Sequence, residues 1–154
     1  MILILSHEDD LHAQSVIDEL RRCGQKHHLL NLSDFPRSES LSLHFGDPGW
    51  AAQWLQKDGS GIDLTAFRSA WWRRPQPFDF DESLENRHYA ASECDEAVTG
   101  LWYAMAAKWV NAPLLDYGAH KKVYQMRCAQ ELGLKMPETL ITNSPEDALR
   151  FVEA

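Results

Sequence analysis

The stretch "ILILS", Ile2–Ser6, constrains the fold more than any other part of the chain, because it is a short unbroken apolar run that stops at a polar residue. A strand with that pattern is buried on both faces. Ser6 and Asp9 then read as a helix cap and an acidic first turn. Ala13, Val16, Ile17 and Leu20 keep helical spacing, and Gly24 stops the helix after "RRC". "HHLLNL" follows as a second strand. A β-α-β opening crosses over right-handed into a parallel sheet. The expected fold class is therefore α/β, a mostly parallel, Rossmann-like sheet flanked by helices.

Further along, "SLSLHF" alternates, "GDPG" turns the chain, and "WAAQWLQKDGSGIDL" completes a hairpin or edge excursion. "FRSAWW" is a third main strand, ended by Arg73, Arg74 and Pro75. Apolar spacing from Leu84 to Met105 predicts one long helix over Glu82–Lys108, and "WVN" a short buried strand stopped by Pro113. A helix is expected from near Ala119 to Gly133, a strand at "ETLIT", and a last helix in "NSPEDALRFVEA" capped by Ser144 with Pro145 first. That last helix meets no stop signal before Ala154, which reads as the end of an incomplete protein.

The net charge of −8 argues against nonspecific binding to nucleic acid or an anionic membrane, which need a positive field. Any bound anion must be held by a local cluster. No basic segment precedes "MILILS", and no apolar run approaches the ~20 residues of a membrane helix, so a cytosolic protein is expected. Cys23, Cys94 and Cys128 form no C-x-x-C pair and are expected as small buried thiols in helices. The seven histidines show no H-x-x-x-H or H-E-x-x-H spacing. Neither a Gly-rich phosphate loop nor a nucleophile elbow is present.

Three clusters carry candidate chemistry. Arg73 and Arg74 stand at the carboxyl end of a central strand, the edge where open parallel sheets bind ligands. Their guanidinium forks suit carboxylate or phosphate, with Pro75 and Pro77 stiffening the loop. The competing reading pairs them with Asp79, Asp81 or Glu82. "HEDD", His7–Asp10, can be a metal site with His12, the acidic pocket of a receiver domain, or simple helix capping. Capping is favoured, and the receiver reading fails because the third strand ends in arginine rather than a phosphoacceptor aspartate. Lys121 and Lys122 open a helix, where free N–H groups already favour an anion.

The succession "RRPQPFDF", long helix, "WVNAP", "HKK" and "LGLKMPETLITN" resembles the start of ATP-grasp ligases. It is most similar to the branch of bacterial glutathione synthetases, RimK-type glutamate ligases and the maturases of microviridin-type ribosomal peptides. "WWRRP" and "QMRCAQELGLKMPETLITN" bring the maturases nearest. The resemblance implies a pre-ATP-grasp domain over 1–115 and the beginning of an ATP-grasp domain over 116–154. It further implies a ligase that activates a carboxylate through an acyl phosphate for attack by an amine or hydroxyl, using ATP and Mg2+. Lys122 matches the early lysine that reaches the nucleotide phosphates, and Arg73 and Arg74 fall near the acceptor-substrate region. The implied partners are a carboxylate substrate and a precursor peptide, with no nucleic acid and no membrane. The second ATP-contacting lysine, the adenine hinge and the magnesium ligands have no counterpart here, so this chain alone is expected to be inactive, without tightly bound nucleotide. Its uncovered apolar surface predicts self-association into a homo-oligomer. The rival expectation is a non-enzymatic module that holds an acidic peptide or small anion at Arg73 and Arg74.

Overall fold

The structure is a computed structural model that describes residues 1–153. Internal contacts divide the chain into two units, Met1–Pro113 and the segment from Leu114 onward.

β1 (Ile2–Leu5) is the expected interior strand, with Leu3, Ile4 and Leu5 fully buried. α1 (Leu11–Arg22) packs Ala13 and Ile17 inward. Its cap is Asp10 rather than Ser6, and no acid lies in its first turn. The Ser6 hydroxyl instead donates to Asp10 at 3.0 Å. At the other end Gly24 adopts φ +66°, and the N–H groups of Gly24 and Gln25 donate to the carbonyls of Arg21 and Leu20 at 3.0 and 2.8 Å. This is a Schellman closure, which needs a left-handed residue.

β2 (His27–Leu30) and β6 (Ser69–Trp72) flank β1, and β7 (Lys108–Val110) lies outside β6. All pairings are parallel, with Leu5 opposite both Leu30 and Trp72. β3 (Ser40–Gly46), β4 (Gly49–Leu55) and β5 (Gly61–Asp63) make a second, antiparallel sheet, so the alternating segments do form a hairpin and its extension. The architecture is α/β, a parallel sheet with flanking helices plus a small antiparallel sheet. Trp54 of β4 is fully buried and donates its indole N–H to Glu39, which satisfies both polar groups inside the core. One apolar cluster joins Leu3, Leu30, Phe35, Trp54, Val98 and Trp102, drawing on both sheets and the next helix.

That helix, α2 (Arg87–Ala104), is shorter than the apolar spacing implied. Asp81 accepts both the N–H and the hydroxyl of Ser83, at 2.9 and 2.6 Å, and this local turn diverts the backbone before a helix can start. β7 is an edge strand rather than a buried one: Trp109 is half-buried between exposed Lys108 and Val110. The cysteines also depart from expectation, with Cys23 exposed and Cys94 and Cys128 half-buried.

From the last residue of the first unit into the second, "PLLDYGA" forms α3 (Pro113–Ala119), an element the spacing did not reveal. α4 (Lys122–Glu131) ends at Gly133, again with a Schellman pair to Gln130 and Ala129 at 3.0 and 2.9 Å. "ETLIT" is not a strand. It has no partner strand to supply a ladder among the described residues, and a lone strand is not stable. α5 (Pro145–Glu153) starts as expected, the Ser144 hydroxyl accepting from the N–H of Asp147 at 3.2 Å.

Candidate functional site

The connection from β1 leads through α1 to β2 on one side, whereas β6 lies on the other side and continues outward to β7. The strand order therefore reverses between β1 and β6. In open α/β sheets the crevice outside the carboxyl ends of such a strand pair is the usual ligand position. Ser6 and Asp10 follow β1 there, and Arg73 and Arg74 follow β6.

Arg73 is tied in twice. Its backbone N–H donates to the Leu5 carbonyl at 3.0 Å, prolonging the β1–β6 ladder by one residue. Its Nε donates to Asp10 Oδ2 at 3.0 Å, with side chains only 21% and 6% exposed. Asp10 is the hub: Oδ1 accepts from the N–H groups of His12 and Ala13, and Oδ2 from Ser6 and Arg73. Burial opposes its charge, but these donors outweigh burial and hold the carboxyl at about 2, below its ordinary 3.8. With Nε engaged, the two terminal amino groups of Arg73 have no partner among the described residues.

Arg74 differs in every respect. It is exposed, makes no hydrogen bond or ion pair among the described residues, and takes φ +46°. A left-handed arginine costs about 1–2 kcal/mol. The acids first set against this pair lie elsewhere. Asp79 binds Arg37 at 2.8 Å, and Asp81 turns onto Ser83.

Beside this corner lies an open groove of about 670 Å3. Leu32, Trp72, Pro75, Phe78 and Phe80 form its apolar side, and the first turns of α2 contribute His88, Ala91, Ser92 and Asp95. Those four residues stand at i, i+3, i+4 and i+7, so a single helix face meets the groove. The loop is fixed from behind: Phe78 packs edge-on against Phe35 at 5.7 Å, and Asp79 bridges to Pro36. Trp72 meets Trp109 edge-on at 6.3 Å, and Trp109 meets Trp102 at 5.7 Å. The tryptophans thus anchor the strand end that carries the arginines. The sequence reading missed this groove, although the run of aromatic and proline residues from Trp71 to Phe80 marks it.

Lys122 lies in the second unit as the first residue of α4, and its Nζ donates to Gln125 at 3.1 Å. Lys121 is engaged differently, its ammonium 3.6 Å above the Tyr117 ring. Among the described residues no group of three or more His, Cys, Asp or Glu side chains is placed to hold a metal ion. His12 with "HEDD" does not form such a group. Among the described residues no helix is long and apolar enough to cross a membrane.

Comparison with known proteins matches residues 1–115 to the family described as the MvdD pre-ATP grasp domain. Macrocyclase MdnB from Microcystis aeruginosa MRC superposes with a TM-score of 0.90 at 26% identity, over 99% of this chain and 50% of that one. The Chryseobacterium gregarium RiPP-associated ATP-grasp ligase, solved with ADP and a leader and core peptide, gives 0.81 at 25%, over 99% and 47%. Macrocyclase MdnC bound with precursor peptide MdnA, also from Microcystis aeruginosa MRC, shares the fold, with a TM-score of 0.83 at 21% identity over 99% and 50%. The chain spans about half the length of these proteins. No curated protein matches it. Carrying both sheets and the Asp10–Arg73–Arg74 corner on its first 115 residues, the chain belongs to the MvdD pre-ATP-grasp domain family, in agreement with the ATP-grasp resemblance read from the sequence.

Proposed function

We propose that the chain is the N-terminal portion of an ATP-dependent ligase that joins a carboxylate to an amine or hydroxyl on a ribosomal precursor peptide in the cytosol. The observation that carries the reading is the arginine corner of a family-assigned domain, built where the strand order reverses. Arg73 is the positioned half of that corner, and Arg74 the free half. A planar fork held by Asp10 meets a carboxylate without losing much side-chain freedom, and Arg74 adds an unpaired charge beside it. Relatives solved with ADP, or with precursor, leader and core peptides, support the choice of nucleotide and substrate class.

Lys122 is the proposed contact to the ATP phosphates in the complete enzyme, where a helix start and an ammonium favour the same anion. Chemistry through an acyl phosphate also needs metal ions across the nucleotide phosphates, and turnover is proposed for the complete ligase alone.

The test supplies this chain with the remaining half of an ATP-grasp ligase and measures ADP formation on a carboxylate-rich precursor peptide. Activity is expected only with both halves, and Arg74→Ala is expected to raise the KM for peptide about tenfold, the loss of one charge-assisted contact. Unchanged KM in Arg74→Ala would remove that residue from the site. The isolated chain is proposed to bind ATP weakly or not at all, and calorimetry showing micromolar, magnesium-dependent binding would contradict that. The second reading, a module that holds an acidic peptide or small anion, is favoured by one observation: every part of the arginine corner lies within Met1–Pro113. Peptide binding at the corner without any ATP turnover in the two-half assay decides for it.

A further inference from the structure

The outer edge of β3 is a row of backbone groups with no partner. β3 is the end strand of its sheet and pairs only with β4. The turn after β4 fixes which residues face outward. There the Gln56 N–H donates to the Ser60 carbonyl at 2.9 Å, continuing the β4–β5 ladder past Leu55 and Gly61. Bonded pairs alternate along an antiparallel ladder, so Gln56 and Trp54 turn their backbone groups to β5. Leu55, Gln53 and Ala51 therefore turn theirs to β3, where they stand opposite Ser40, Ser42 and His44. The N–H and C=O groups of Leu41, Leu43 and Phe45 point away from β4, without a partner among the described residues.

Exposed sheet edges are ordinarily guarded by shortness, charge, proline or a bulge. The other edges, β2, β5 and β7, are three or four residues long. β3 has none of these guards. It runs for seven residues, "SLSLHFG", without Lys, Arg, Asp, Glu or Pro, and pairs with β4 one to one throughout. Its side chains are sorted by face. Leu41 and Leu43 are half-buried against the core cluster, in line with Phe45, while Ser42 and His44 are exposed on the other face. Phe45 stacks on Trp50 at 6.0 Å yet is 70% exposed, so the apolar row is uncovered at that end.

The strand is complementary to itself. A two-fold axis at Leu43 sets Leu43 opposite its own copy, Leu41 opposite Phe45 of the partner subunit, and Ser42 opposite His44 of the partner subunit. In that alignment each outward-facing residue exchanges two hydrogen bonds with an outward-facing residue of the copy. Centring on Ser42 or His44 leaves one of the three without its match. Apolar meets apolar on one face, polar meets polar on the other, and no charge meets its like.

We propose that β3 pairs with β3 of a second copy of this chain, antiparallel and two-fold symmetric about Leu43, joining two small sheets into one. Such a contact uses the same patch on both copies and closes as a dimer. It is independent of the arginine corner and of the ligase reading.

The test follows amide exchange by NMR at two concentrations about fiftyfold apart. The chain carries Leu115→Ser and Val152→Ser, which weaken association through the exposed residues of the second unit. The amides of Leu41, Leu43 and Phe45 are expected to exchange at least about tenfold more slowly at the higher concentration, and those of Ser42 and His44 to be slow at both. Sedimentation is expected to show a dimer. Ser42→Lys with His44→Lys sets like charges opposite each other across the axis and should weaken that dimer about tenfold. Ser42→Lys with His44→Glu sets opposite charges there and should restore it. Both positions are exposed, so the fold of one copy does not depend on them. Exchange at Leu41, Leu43 and Phe45 that is fast at both concentrations, or slow at both, overturns the proposal. So does a dimer that responds equally to the two charge pairs. Protection conferred by an added Val-Thr repeat peptide, with none from concentration, also overturns it, since the edge would then take a foreign strand.

Discussion

Asp10 concentrates much of the first unit's polar chemistry in one carboxylate, because it caps α1 and neutralises Arg73 with different oxygens. The two roles separate by substitution. Asp10→Asn keeps an acceptor for the cap but leaves a partly buried guanidinium unpaired, and is expected to cost about 1–2 kcal/mol. Asp10→Ala loses the cap as well and should cost about 3 kcal/mol, both read as the shift in urea midpoint. Equal losses would mean that the cap contributes nothing, and no loss in Asp10→Asn that the ion pair contributes nothing. The arginines at the sheet edge were legible in the sequence, since a strand ending in paired charge is a local signal. Their partner was not legible. Asp79 and Asp81 are close in the chain, whereas Asp10 is 63 residues from Arg73 and meets it only through the parallel register of β1 and β6.

His28 carries the second titration of interest. Burial chiefly, and then the neighbouring His27, push its pKa below the ordinary 6.5, with Asp58 acting weakly the other way. Its Nε2 is buried without a partner, and the ring lies edge-on to Phe67 at 6.5 Å. The unfolded chain therefore takes up a proton at a higher pH than the folded one. Stability is lost as pH falls below 6.5, and the penalty is absent above it. His28→Leu should flatten that acid-side loss, seen as a smaller difference in Tm between pH 8 and pH 5. An unchanged difference would place the loss on another group.

Among the elements, helix ends closed by a glycine or serine of their own are legible in the sequence, whereas the "ETLIT" segment and the start of α2 are not. Gly24, Gly133 and Ser144 act within one turn of their own helices, so sequence suffices. "ETLIT" has strand composition, but β structure needs a neighbouring ladder, and composition does not supply one. The start of α2 failed for the opposite reason, a strong local turn at Asp81–Ser83 overriding apolar spacing. Gly24→Ala tests how far a cap of this kind matters. No atom lies within 4 Å of the added Cβ, so the cost is purely the left-handed backbone, about 1 kcal/mol in chemical denaturation. A loss near zero would show that the turn relaxes to another closure.

Across the whole molecule, apolar burial is unevenly shared. Among the described residues every buried apolar one lies at or before Met105, and α3, α4 and α5 bury none. Leu115, Val123, Leu132 and Val152 are each more than two-thirds exposed. Helices of seven to ten residues without a packed face are marginal in water, because tertiary burial supplies most helical stability. Two consequences follow from the same cause. Amide exchange across 114–153 should be fast, while β1 and β6 hold their protons to the limit of global unfolding. The exposed leucines and valines should also bring copies together as concentration rises, since apolar patches of this kind are seldom left open to solvent. Sedimentation velocity over a hundredfold concentration range is expected to show reversible association that Leu115→Ser with Val152→Ser weakens. Clean monomer at every concentration, combined with slow exchange across 114–153, would mean that this segment is covered by a fold of its own.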